Sequence, residues 1–405
     1  MITLRNAFFV VSLFTFLFAN AQEEKKENPF SFQWDNGFKL ENEDKSLKFK
    51  FGGRIMADHA FFSQNNDLTT AFGELETKNG TEIRRARLFF SGTLNKNVEF
   101  KLDFGFEGGV VAFKDMYIGL KKVPVIGNIR VGNVKEPFRL EMLTSSKYIT
   151  FMERSLLSDF APTRNNGILI FNEFANKKVG FQAGLFRNAD DKTANDKKAN
   201  DGYVFTGRIT GLPINNKDNK QLLHLGVGYS YRKPDTKEYK VSSRPEAHLS
   251  SQKYISTGAI DNVDHINLLN LEAAFVTGSL SFQGEYLAAK VNAIENYNFS
   301  SYYGQVSYFF TGESKKYKSS YAGFDRIKPQ QNFGNGGAGA WEVALRYSNS
   351  DLTNAAILGG EQSDITLGVN WYLNPSTRIV FNNVFADIKD KGKATIFQVR
   401  FQIDF

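Results

Sequence analysis

The sequence predicts an all-β chain that closes into a transmembrane antiparallel β-barrel of about 16 strands, and three observations predict it. Apolar and polar residues alternate along most of the chain, which gives an extended strand one greasy and one wet face. An export-type N-terminus precedes the alternating region. The connections between candidate strands alternate between tight and long, the habit of barrels that cross an outer membrane. The last segment, Ala394 to Phe405, is the clearest strand. Thr395, Phe397, Val399, Phe401, Ile403 and Phe405 share one face, and Ala394, Ile396, Gln398, Arg400, Gln402 and Asp404 share the other.

From the start, Arg5 supplies a positive charge, Ala7 to Phe18 is an apolar run, and Ala19-Asn20-Ala21 is a small-x-small cleavage site. The run is too short for a helical span, which takes roughly 20 residues. Residues 1–21 therefore read as a signal peptide and 22–47 as a polar periplasmic lead-in, with residues 48–405 as the barrel. In the first strand Phe49, Phe51, Ile55 and Ala57 alternate with Lys48, Lys50, Arg54 and Asp58. In the second, Ala86, Leu88, Phe90 and Leu94 alternate with Arg85, Arg87, Ser91 and Thr93. The third sets Val98, Phe100, Leu102, Phe104 and Phe106 against Glu99, Lys101, Asp103, Gly105 and Glu107. A dry sandwich core would strand those charges, whereas a water-filled lumen accepts them at little cost.

Further strands are expected near 112–122, 128–135, 167–175, 178–187, 202–212, 221–232, 265–277 and 280–291. The remainder lie near 301–311, 340–350, 363–373, 378–388 and 394–405. An even total places both ends on the periplasmic side. Asn95 to Asn97, Ala175 to Lys177, Thr277 to Ser279 and Asn374 to Thr377 read as tight periplasmic turns, and 63–80, 136–166, 188–201 and 233–264 as long outer loops. One connection departs from the rule: Thr311 to Gly339 is long, yet strand parity puts it on the periplasmic side. Its basic residues Lys315, Lys316, Lys318, Arg326 and Lys328 could fold back into the lumen, although a solvated or lipid-facing segment is the more ordinary reading.

Composition fits this scheme and narrows function. Mean hydropathy of −0.36 is compatible with a barrel, because only alternate residues meet lipid. The 39 Phe, 16 Tyr and 3 Trp suit a lipid-facing band with interfacial girdles. Absence of cysteine removes thiol chemistry and disulfides, and four scattered histidines leave little for metal or acid–base work. No cofactor, metal, nucleic acid or enzymatic activity is expected. An outer-membrane lipase would need a Ser–His pair with an orienting group, which no local signature supplies. Gly334, Gly336 and Gly339 spell G-x-G-x-x-G but lead into a strand, so they cannot cradle a dinucleotide at a helix N-terminus. A barrel of 16 to 18 strands leaves an aqueous channel, so the chain is expected to be a pore.

The connection after the fifth strand carries the distinctive chemistry. It reads Val134-Lys135-Glu136-Pro137-Phe138-Arg139-Leu140-Glu141, Thr144-Ser145-Ser146-Lys147-Tyr148, Thr150-Phe151-Met152-Glu153-Arg154 and Ala161-Pro162-Thr163-Arg164-Asn165. In these elements, in their order and spacing, the sequence resembles the phosphate-selective porins (O/P type) of Gram-negative outer membranes. Arg84-Arg85-Ala86-Arg87, Phe113-Lys114-Asp115 and Gly339-Ala340-Trp341-Glu342 through Arg346-Tyr347 extend the resemblance over nearly all of the mature chain. It implies a homotrimeric porin in outer-membrane lipid, whose third extracellular loop folds inward to narrow the lumen and whose partners are small inorganic anions, phosphate above all. Two positions depart from the family pattern: Arg139 and Thr163 stand where glycine is usual.

The residues agree with that assignment. An oxyanion in a constriction sheds water, and Arg or Lys replaces it with charge-assisted hydrogen bonds worth ~1.5–3 kcal/mol each. Lys135, Arg139, Lys147, Arg154 and Arg164 are the candidate cations of loop 136–166, with Ser145 and Ser146 as neutral donors. Arg54, Arg85, Arg87, Lys101, Arg130, Arg346 and Arg400 are expected on the pore wall. The same faces carry Glu99, Asp103, Glu107, Asp115, Glu342, Asp364 and Asp404, so a second reading has the cations merely pairing with these acids to stiffen the wall. Other anions (pyrophosphate, polyphosphate, carboxylates) and a barrel plugged by its loops, structural or adhesive in role, are the alternatives in function.

Overall fold

The structure, a computed structural model, describes residues 28–190, 192–195, 202–334 and 336–405. The expected signal peptide lies outside these residues. Sixteen antiparallel strands form the barrel: β1 (Lys48–Gln64), β2 (Asn79–Leu94), β3 (Val98–Gly105), β4 (Ala112–Val123), β5 (Gly127–Lys135), β6 (Arg164–Phe174), β7 (Val179–Arg187) and β8 (Val204–Asn216). They continue with β9 (Gln221–Arg232), β10 (His265–Thr277), β11 (Leu280–Asn292), β12 (Asn296–Phe309), β13 (Ala340–Asn354), β14 (Ile357–Asn374), β15 (Thr377–Ile388) and β16 (Gly392–Asp404). Each pairs with its neighbours in sequence. The cylinder closes where β16 meets β1, with Ala394 opposite Gln64 and Asp404 opposite Arg54. Closure satisfies every edge, which an open sheet in lipid could not do.

The faces follow the alternation. On β16, Gln398, Arg400, Gln402 and Asp404 are buried inside, while Phe397, Phe401 and Ile403 are exposed outside. Several strands run further than the pattern predicts: β1 extends to Gln64, β2 begins at Asn79, and β14 begins at Ile357. The reason is that the ladder continues above the bilayer, where the outer face no longer has to be apolar and the alternation fades. β6 likewise begins at Arg164, paired with Lys135, so the connection from β5 is 136–163 rather than 136–166.

The three-residue connection Asn95 to Asn97 between β2 and β3 puts Asn95 and Lys96 at φ of 48° and 67°, the positive values a type I′ turn requires at both central positions, and Asn97 N closes it on the Leu94 carbonyl. The lead-in, read from sequence as polar and charged with the aromatics Phe30, Phe32 and Trp34, contains regular structure. Its strands Phe30–Trp34 and Phe38–Asn42 form a hairpin that pairs with Lys48–Phe51 of β1, just below the point where Phe405 exchanges backbone hydrogen bonds with Gly53.

Three connections occupy the interior on the β8–β16 side. Segment 136–163 is stitched to the wall through its backbone. Leu140 N donates to Glu272 (2.7 Å), Glu141 N to Glu285 (2.8 Å) and Met152 N to Asn382 (2.7 Å). Arg378 and Asn370 donate to the carbonyls of Ile149 and Thr150, both at 2.9 Å. Gly228 on β9 admits the loop, because a Cβ there would stand 2.1 Å from the Phe138 carbonyl oxygen. The loop between β9 and β10 adds Glu246, whose carboxylate accepts from Ser348 and Thr366, both at 2.6 Å. From the other end, the 311–339 connection turns inward rather than lying solvated or on lipid. Lys315 pairs with Glu342 (2.6 Å), Phe324 N donates to Thr144 (3.1 Å), and Arg326 pairs with Asp404.

Candidate functional site

What the three connections leave open is a cavity of about 740 Å³ against β1–β7. Its walls come from the inner faces of β1 to β7, one side of segment 136–163, and the tip of the 311–339 connection. Twelve of its lining residues are Lys or Arg and five are Asp or Glu, so the cavity is strongly cationic.

The wall cations arrive by simple alternation, with two departures. Between Met56 and Ala57 the β1–β2 ladder shifts, so that Met56 faces Arg85 and Ala57 faces Ile83, leaving Arg84 as an extra residue. Such a bulge re-aims side chains. Strict alternation would send Arg84 out to lipid; the bulge brings Arg84, Arg85 and Arg87 all to the cavity. Arg84 is thus a site residue that the alternation did not supply, and Lys114 is another, placed by a separate shift in the β3–β4 ladder between Leu102 and Phe104. The Arg84-Arg85-Ala86-Arg87 run was the available signal, since two adjacent arginines cannot both face water on a regular strand.

Of the residues expected from sequence, the structure gathers Arg54, Arg85, Arg87, Lys101, Arg130, Lys135, Ser145, Ser146, Lys147, Arg154 and Arg164 around this one cavity. Three do not reach it. Arg139 is fully buried behind the loop, donating to Ser158 (2.6 Å) beside Glu141 (3.7 Å). Arg346 is buried between Glu246 and Glu141. Arg400 holds Asp58 (2.6 Å) and Glu153 (2.8 Å). Arg346 and Arg400 face inward, but the connections packed over them turn pore-wall positions into anchors, whereas Arg139, expected as a loop cation, is held by contacts within the loop itself.

The cavity cations divide into two sets. Seven are held by carboxylates. Arg84 grips Glu153 through two bonds of 2.8 Å, Arg87 pairs with Glu107 (2.9 Å), and Lys114 shares that acid (3.7 Å). Lys101 and Arg164 both hold Asp115 at 2.6 Å, Arg130 holds Glu99 (2.7 Å), and Lys147 holds Asp404 (3.1 Å). The remaining cations have no carboxylate within 4 Å among the described residues. Arg54 donates to Ser146 (2.9 Å) and Lys135 to the Met142 carbonyl (2.6 Å). Arg154 donates to the carbonyls of Glu141 and Thr144, both at 3.0 Å. Lys318 lies over the Tyr321 ring, and Arg85 makes no hydrogen bond to any described residue, its Nε being buried and unpartnered. The reading in which every cation merely stiffens the wall fits the first set and not the second.

The loop groups respond to this field. Burial lowers the Lys147 pKa to about 8; Asp404 opposes the shift, while Arg54 and Arg326 reinforce it. Burial likewise lowers Arg154 to about 10 against the pull of Glu141, with Arg139 and Arg164 adding to the shift. Burial works to raise Glu153, but Arg84 and Arg400 outweigh it and hold the carboxylate well below its ordinary range.

A closed barrel, apolar outside and lined within by a cation-rich cavity, defines an outer-membrane porin. The sequence model described as "Phosphate-selective porin O and P" matches residues 49–405, and the chain belongs to that family. It is 28% identical over 386 residues to Porin O of Pseudomonas aeruginosa, covering 85% of this chain and 84% of that protein. Among solved structures, the anion-selective porin of Comamonas acidovorans superposes with a TM-score of 0.54 at 15% identity, over 89% of this chain and 100% of that one. OmpT, an outer membrane protein of Vibrio cholerae, gives 0.55 at 10% identity over 95% of this chain and 100% of its own. The protein is accordingly an anion-selective porin of the outer membrane, with the family and fold of a channel.

Proposed function

We propose that the porin passes phosphate by diffusion down its gradient, and that Arg54, Arg85, Lys135 and Arg154, with Ser145 and Ser146, take over the anion's hydration at the narrowing. The absence of carboxylate partners for these cations supports the reading. A paired cation must release its acid to bind a substrate, whereas an unpaired one has donors free. Several moderate contacts suit transport better than one tight one, because the ion must also leave. We further propose that residues 1–21 are removed on export, that segment 136–163 is the constriction loop, and that three copies assemble.

Reconstitution in planar bilayers tests the function. Chloride current should show anion preference and should be blocked by added phosphate; cation preference, or indifference to phosphate, overturns the proposal. Lys135→Ala and Arg154→Ala should each weaken the block several-fold, by about 1 kcal/mol or more. Unchanged block in both variants clears the loop of the role. The filling of the β8–β16 side favours a second reading, a plugged barrel, and lack of measurable conductance would establish it.

Proton titration supplies another check. Lys147 is charged below about pH 8 and neutral above it. Preference for chloride should therefore decline as pH rises through about 8, and Lys147→Met should remove that step. Chloride is the ion to use, because phosphate changes its own charge near neutrality. A flat profile in the unmodified protein removes Lys147 from the site.

A further inference from the structure

The N-terminal hairpin, Phe30–Trp34 with Phe38–Asn42, carries its apolar residues on one face. Trp34 stands opposite Phe38, which stands opposite Phe51 of β1, and Phe51 stands opposite Phe90 of β2. Cross-strand partners point to the same side of a sheet. Phe51 and Phe90 belong to the lipid-facing surface of the barrel, so the aromatic row runs without a break from that surface onto the hairpin. The rings contact one another: Trp34 meets Phe38 edge-on at 5.0 Å, and Phe32 lies 5.7 Å from Phe38. The reverse face is polar, with Ser31, Gln33, Lys39 and Glu41.

The hairpin nevertheless leaves these rings uncovered. Phe32 is 66% exposed and Trp34 57%. A hairpin standing in the aqueous periplasm gains nothing from such a face, because apolar surface left in water contributes no burial. The placement of tryptophan adds a second observation. The chain has three, and the other two, Trp341 at the start of β13 and Trp371 near the end of β14, stack at 5.0 Å at the same rim. Tryptophan collects where one end of the ring meets hydrocarbon and the other meets water.

We propose that this hairpin is a membrane-interface anchor, laid with its aromatic face in the headgroup–acyl boundary of the periplasmic leaflet, where phospholipid is its partner. It fills the step left on the β1 edge below Phe405 and carries the apolar band across it. The polar reverse face then looks toward water at the periplasmic mouth.

Fluorescence tests this directly. In a Trp341→Phe/Trp371→Phe variant, Trp34 is the sole reporter in full-length protein reconstituted into phosphatidylcholine vesicles. Lipids brominated near the glycerol end of the acyl chain should reduce its emission by roughly half, and lipids brominated near the methyl end should reduce it less, as expected of an interfacial ring. If that variant does not fold, the difference in quenching between the unmodified protein and Trp34→Phe gives the same quantity. Emission unaffected by either lipid overturns the proposal. So does loss of oligomers in Phe30→Ser/Phe32→Ser without quenching of Trp34, which would assign the face to a second copy of the chain.

Discussion

Replacing Arg85 with alanine is expected to weaken phosphate block of the chloride current by roughly ten-fold or more, with no loss of barrel stability. Both halves follow from one feature: Arg85 reaches the cavity wall and bonds to no described residue, with Nε buried and unpartnered. Removing it strands no acid, so unfolding in detergent should be unaltered or slightly harder. Its removal takes away a fork of donors in the part of the wall where positive charge is least neutralised. Arg85→Lys separates charge from geometry. A lysine keeps the field but loses the planar, two-pronged donor set. It should retain chloride preference while giving up much of the phosphate block. An Arg85→Ala protein with unaltered block would show that Arg85 is not a contact of the anion.

A stability effect of about 3–5 kcal/mol is expected for Arg346→Ala. Arg346 lies under both inward loops. Its Nε meets Glu246 at 2.9 Å, its Nη1 meets Glu141 at 3.3 Å, and its Nη2 donates to the Glu153 carbonyl at 3.1 Å. The guanidinium also covers the Phe151 ring at 4.4 Å. Deleting it leaves the buried Glu246 carboxylate without a cation and Glu141 with only Arg139, 3.7 Å away. The midpoint of guanidinium unfolding in detergent should fall, and single-channel conductance should rise as segment 136–163 and the loop bearing Glu246 leave the wall. Adding Glu246→Gln should recover part of the stability, since it removes one stranded charge. Conductance and midpoint both unchanged would mean that the loops are held elsewhere.

These two arginines mark where sequence reasoning succeeds and where it stops. Both face inward in the alternation, and both do so in the structure. Alternation cannot say what lies in front of an inward residue. Arg85 has the cavity before it, whereas Arg346 and Arg400 are covered by connections whose course depends on contacts with strands far away in sequence, and Arg139 is turned into one of those connections. Arg84 fails for a different reason: one extra residue in the β2 ladder turns it from lipid to lumen, and no period-two pattern encodes that shift. Phe30, Phe32 and Trp34 are legible in the lead-in as aromatics among charged residues, but their hairpin is not, because it depends on pairing with β1.

By itself the sequence determined a closed barrel of about 16 strands, because a two-residue repeat with lipid on one side and water on the other must close on itself, and the motifs between Val134 and Asn165 carried the resemblance to its family. Only the tertiary structure decided which inward cations remain unneutralised. That depends on where three long connections come to rest inside the cylinder, and distant carboxylates and carbonyls, rather than local periodicity, fix those positions.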